Sequence, residues 1–90
     1  MGNEIYFNTV FGGYAKNDVL AKADAYNSLI MAIDNAMMSD AAINAELLKI
    51  RRMPMRKAKC LFLPGRGFSV SETDAYISEL EKEIADKILL

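Results

Sequence analysis

The side chains best suited to chemistry in this 90-residue chain are seven cations gathered into one stretch: Lys49, Arg51, Arg52, Arg56, Lys57, Lys59 and Arg66. No acidic residue interrupts them, whereas residues 1–48 and 67–90 each carry six acidic and two basic side chains, net −4. A cluster of this kind attracts anions but does not break bonds. The chain has no histidine and a single cysteine, Cys60, so common zinc ligand sets, an intrachain disulfide and a nucleophile–imidazole pair are missing. No enzymatic activity, metal or cofactor is expected. For Lys49, Arg51, Arg52, Arg56, Lys57 and Lys59 the first reading is pairing with acidic helices of this chain or of a second subunit. Contact with an anionic membrane comes next, at about 1 kcal/mol per cation at most. Nucleic acid ranks last, since no aromatic is interleaved before Phe62 and no reading module is recognisable.

Those cations need elements to hold them, and the composition says which. The chain is 52% hydrophobic with only 5 Gly and 2 Pro, too apolar for disorder and too poor in turn residues for an all-β fold. Helix should dominate a single domain. A chain this short buries only about 60–65% of its unfolded surface, which makes an isolated monomer marginal and favours self-association. The lone cysteine fits a reducing, cytoplasmic setting. The first residues lack the basic start and apolar run of a signal peptide, and no apolar run approaches the length of a membrane span.

Along the chain, residues 5–14 mix β-branched and aromatic side chains and end in Gly12-Gly13, which predicts a short strand or extended arm closed by a turn. From Lys16 to Met53 there is neither Gly nor Pro, and Val19, Ala23, Tyr26, Ile30, Ile33 and Met37 recur at helical spacing. The seam turns polar near Ser39-Asp40, where a second helix with Ile43, Leu47, Leu48 and Ile50 as its apolar members could be capped. The alanines at 36, 41, 42 and 45 favour one continuous helix over that break. Pro54 ends it near Arg52. Ala58 to Leu63 predicts a strand stopped by Pro64-Gly65, and a last helix runs from about Val70 to Leu89 with Thr73, Ile77, Leu80, Ile84 and Ile88 on one face. It closes without a stop signal, as a chain cut from, or naturally shorter than, a longer helical protein would.

The last helix has a strong entrance. With Ser69 as N-cap, Glu72 falls at N3, which predicts a capping box; Phe68 is the staple residue facing Thr73, and Gly67 allows a sharp turn, with positive φ as one option. The same pattern occurs earlier. Residues 7–23 superpose on 61–77 without a gap at an offset of 54: Gly13-Tyr14 on Gly67-Phe68, Asp18 on Glu72 and Val19 on Thr73. Ala15 stands where Ser69 does and is the poorer cap. Local physics alone could make two strand-turn-helix entrances look alike; a genuine repeat of arm, turn, aromatic and capped helix is the preferred reading.

The GYAKNDV and GFSVSETDAYI stretches resemble the N-terminal domain of the DivIVA and GpsB family of bacterial cell-division scaffolds. The resemblance covers about 17 residues at each of two sites. It implies a non-enzymatic, cytoplasmic, helical protein that dimerises, lies peripherally at the inner membrane face, and recruits the cytoplasmic tails of division or envelope-synthesis proteins. In DivIVA-like domains an aromatic–basic pair ahead of the Gly-Tyr forms a membrane tip; here the first copy has Phe11 and Gly12 at those places and the second has Gly65 and Arg66, so each keeps half. GpsB-like members hold a partner arginine with the aromatic and carboxylates six and ten residues on. The first copy supplies Tyr14 and Asp24, with Leu20 between, and the second Phe68 and Asp74, followed by Ser78, so neither is complete. The resulting expectation is a mainly α fold with coiled-coil-like or hairpin helices and two short extended arms. Residues 1–90 form a single domain with repeat units at 5–53 and 58–90, packed as a hairpin or pseudo-symmetric pair whose remaining apolar seam a second chain covers.

Overall fold

Lys16 to Asp34 places an apolar side chain at every third or fourth position, so it coils into a helix with one face that must be covered. A computed structural model of the chain describes residues 7–89, and there the face is covered from within the chain. The element order is β1 (Thr9–Phe11), α1 (Lys16–Asp34), α2 (Asp40–Arg51), β2 (Lys59–Cys60), β3 (Leu63–Pro64), β4 (Arg66–Phe68) and α3 (Val70–Leu89). The protein is mainly helical with short antiparallel strands, as expected. Ile5, Tyr6 and Leu90, assigned to the repeat units above, lie outside the described residues.

The continuous helix favoured for Lys16 to Met53 is corrected: it breaks. Ala36 takes a left-handed φ of 53°. Its N–H donates to the Ile33 carbonyl and that of Met37 to the Ala32 carbonyl, both at 3.0 Å, the two bonds of a Schellman motif. Ser39 then caps α2, accepting the Ala42 N–H on Oγ at 3.2 Å. Alanine's helix preference is worth less than about 1 kcal/mol per residue. Turning back lets α2 bury Ile43, Leu47 and Ile50, each worth about 1.5–3 kcal/mol. Packing therefore outweighs propensity. Met37 and Leu48, both expected on apolar faces, end up exposed.

The strand expected over Ala58–Leu63 is likewise corrected to a hairpin. Lys59 pairs with Pro64 and Cys60 with Leu63, leaving Leu61 and Phe62 as the two loop residues. This pairing gives the segment's backbone groups partners without a covering element, and its apolar side chains are left in solvent.

α1 and α3 lie side by side and run in the same direction. Contacts advance together along both: Tyr14 with Asp74 at the start, Tyr26 with Glu81 in the middle, and Asp34 with Lys87 at 2.6 Å near the end. α2 returns along α1 in the opposite sense, a helical hairpin inside the first of the two stretches. The core comprises Ala23, Tyr26, Leu29 and Ile30 of α1, Ile43, Leu47 and Ile50 of α2, and Leu80 and Ile84 of α3. Repeat-equivalent positions share it: Tyr26 with Leu80, and Ile30 with Ile84.

Candidate functional site

The two glycine–aromatic motifs meet each other. Tyr14 N–H donates to the Phe68 carbonyl and Phe68 N–H to the Tyr14 carbonyl, both at 2.9 Å. The two bonds are reciprocal, so an approximate local twofold relates this pair of residues. The approach explains both glycines: a Cβ on Gly13 would overlap the Phe68 carbonyl and one on Gly67 the Tyr14 carbonyl. Gly67 is thus needed for space, not for the positive φ offered as an option; among the described glycines that conformation belongs to Gly12, at 73°.

The helix entrances repeat the same bonds with different residues. At α1, Ala15 N–H donates to the Arg56 carbonyl at 2.7 Å, and Arg56 N–H donates to Asp18 Oδ2 at 3.0 Å. At α3, Ser69 N–H donates to the Asn8 carbonyl at 2.8 Å, and Asn8 N–H donates to Glu72 Oε1 at 3.0 Å. In each case the same residue's side chain also binds that carboxylate: the Arg56 guanidinium at 3.0 and 3.1 Å, the Asn8 amide at 2.7 Å. The expected capping box is therefore corrected to half a box. Ser69 Oγ accepts the Glu72 N–H at 3.4 Å, but Glu72 reaches Asn8 instead of returning to Ser69, whose N–H is already engaged. The Arg56 side chain, aided by its backbone N–H, holds the Asp18 carboxyl below its ordinary range. One position on, Val19 and Thr73 are both fully buried, and Thr73 Oγ1 has no hydrogen-bond partner among the described residues.

The four membrane-tip candidates converge. Phe11 and Arg66 are directly opposite on β1 and β4, with the guanidinium 5.3 Å from the ring centroid, and Gly12 N–H donates to the Gly65 carbonyl at 2.9 Å. An aromatic from the first stretch and a cation from the second thus lie side by side. The groove candidates are only partly united. Tyr14 Oη donates to Asp74 Oδ1 at 2.9 Å, joining the aromatic of one copy to the carboxylate of the other, and this bond raises the Tyr14 pKa. Phe68 instead is buried, edge-on to Phe7 at 5.4 Å with the Lys16 ammonium 5.5 Å from its ring centroid. Asp24 is exposed on α1, roughly 12 Å along the helix axis from Lys16.

Lys49, Arg51, Arg52, Arg56, Lys57 and Lys59 are all exposed, yet several are engaged within the chain. Arg51 pairs with Glu81 at 3.2 Å, Arg56 with Asp18, and the Lys57 ammonium stands 5.6 Å from the centroid of the Tyr14 ring. Burial works to raise the Glu81 pKa, but the Tyr26 hydroxyl and Arg51 outweigh it and hold the carboxyl below its ordinary value. Burial, followed by the bond to Glu81, raises the Tyr26 pKa strongly.

Two features escaped the sequence reading. Lys22 is buried and its Nζ donates to the Arg51 and Met53 carbonyls at 3.3 and 3.1 Å, capping the end of α2. Its spacing of three from Val19 and four to Tyr26 already put it on the apolar seam. The second is the Leu61-Phe62-Leu63 tip, whose loop has none of the usual hairpin turn residues to mark it. Among the described residues no helix is long and apolar enough to cross a membrane, and no cluster of metal-ligating side chains occurs. No protein-family model, curated protein or solved structure matches the chain.

Proposed function

We propose that the chain is a non-enzymatic scaffold or adaptor of the DivIVA and GpsB type, which self-associates and recruits membrane or envelope-synthesis partners during bacterial cell division or septum placement. Its setting in this reading is the cytoplasm, peripheral to the inner membrane face. One observation carries the proposal: the half-motifs of the two copies complement each other in space, Phe11 with Arg66 and Tyr14 with Asp74. An unrelated pair of strand-turn-helix entrances has no reason to place four such residues in reciprocal positions. The Tyr14–Asp74 pair, with a carboxylate at the surface, has the chemistry to accept a partner's arginine. The alternative of a basic nucleic-acid-binding protein is weakened by the engagement of Arg51 and Arg56 with Glu81 and Asp18.

The test is the position of a fluorescently tagged chain in its source cell. Enrichment at division sites or poles, dispersed by Asp74→Asn, is expected; a uniform signal throughout growth contradicts the reading. Light scattering of the purified chain should give more than a monomer mass at micromolar concentration, and a clean monomer removes the self-association.

A further inference from the structure

The tip of the β2–β3 hairpin gathers much of the exposed apolar surface of the described residues. Leu61 is 88% exposed, Phe62 101% and Leu63 70%, with Phe11 at 72% on the neighbouring strand. Scattered exposed apolar side chains are ordinary, but consecutive ones at a loop tip mark an interaction surface. The backbone adds an independent sign. Leu61 has φ 59° while Phe62 does not take positive φ, the pattern of a two-residue turn that favours glycine at its first position. A branched side chain there is strained. Neither packing nor turn chemistry accounts for a leucine at that place, and strain of this kind is kept where the side chain serves another purpose.

The surroundings select the occupant. Lys57 and Lys59 lie at the base of the hairpin and Arg66 on β4 beside it, all exposed. A cleft lined by Gly12, Lys57, Lys59, Leu61, Phe62 and Leu63 runs along the hairpin. No acidic residue occurs between Glu46 and Glu72, so the apolar tip is rimmed by one sign of charge while the helical sequences on either side of this segment are net acidic. A second copy seated symmetrically on this tip would bring its own cations to the same place and repel. An anionic lipid surface satisfies both features, taking the apolar side chains among its acyl chains and the cations at its headgroups.

We infer that the Leu61-Phe62-Leu63 hairpin tip is a wedge that inserts into the interface of an anionic bilayer, seated by Lys57, Lys59 and Arg66. This deepens the membrane side of the proposed function and rests on it for the cellular setting. Insertion is shallow, because a hairpin has unpaired edges that the hydrocarbon core does not tolerate.

The experiment uses the full chain and vesicles of phosphatidylcholine with one-third phosphatidylglycerol at low salt. The chain is expected to co-sediment, and Phe62→Ser to lower partitioning about tenfold or more. Lys59→Gln should lower it about fivefold. Leu61→Gly should also weaken binding while raising the melting temperature, a combination that a merely structural role does not produce. Since the chain has no tryptophan, Phe62→Trp supplies a single reporter whose emission should shift to the blue on adding these vesicles. Unchanged partitioning of Phe62→Ser and Leu61→Gly overturns the inference, as does an unshifted emission. So does a free-protein oligomer that these substitutions dissociate without affecting vesicle binding, which would make a second copy the occupant. Septal or polar enrichment retained by Phe62→Ser would leave the scaffold reading standing without the wedge.

Discussion

The entrances to α1 and α3 perform one task with two sets of residues. Each N-cap amide is bound by the carbonyl of an incoming segment, and that segment's own amide and side chain are bound by the acid at N3. The α3 entrance uses Ser69, Glu72 and Asn8, all near the strand pair; the α1 entrance uses Ala15, Asp18 and Arg56, the last arriving after α2. At Ala15 no side-chain cap bond is made. The comparison teaches that the two entrances share a bonding pattern, while the residues that fulfil it differ.

The largest expected effect tests whether the copies really share a core. Ile30→Ala and Ile84→Ala remove equivalent buried side chains, and each should cost about 2–5 kcal/mol in denaturant unfolding. A large loss at only one site would break the equivalence. Next come Gly13→Ala and Gly67→Ala, each of which forces a methyl against the other copy's carbonyl and should destabilise by about 1–3 kcal/mol. Neutral behaviour at either glycine would mean the motifs are not in such close approach.

Three smaller effects sharpen the difference between copies. Thr73→Val makes the second copy resemble the first at the buried position and removes an unpartnered hydroxyl, so a gain of about 1–2 kcal/mol is expected, read as a raised denaturation midpoint. Ser69→Ala should cost about 1 kcal/mol, and Ala15→Ser should recover up to about that amount; if both are neutral, the side-chain caps are irrelevant beside the segment bonds. The smallest is the acid dependence. Asp18 and Glu81 have depressed pKa values in the folded chain, so the stability they contribute is present above the ordinary carboxylate range and is lost as pH falls from that range through their lowered folded values. The melting temperature should therefore drop progressively below about pH 5. Asp18→Asn together with Glu81→Gln should flatten that slope.

What could be read beforehand follows the range over which each signal acts. α3 was legible over its whole length because Ser69, an acid at N3 and a regular seam are local signals, and the two helix entrances were visible as a repeat for the same reason. The break was legible as an option at Ser39-Asp40, where the cap does form; that it prevails was not, since Ala36 adopts a left-handed conformation that alanine disfavours and only the burial of α2 against α1 makes worthwhile. The hairpin was hidden because Leu61 and Phe62 are not turn residues. Of the candidate site, the half-motifs were legible as sequence, and their division between copies suggested a surface assembled from both. Their registry was beyond reach, because Phe11 opposite Arg66 and Tyr14 against Asp74 depend on strand pairing and on α1 and α3 running in parallel.

The central claim is that the two copies form one unit about the Tyr14–Phe68 pair. The most direct test is two-dimensional NMR of the chain, reading the nuclear Overhauser contacts and hydrogen exchange of those two amides. A cross-peak between the Tyr14 and Phe68 amide protons, with both amides exchanging slowly, is predicted from their reciprocal 2.9 Å bonds. No cross-peak, with either amide exchanging as in an unfolded chain, would contradict it.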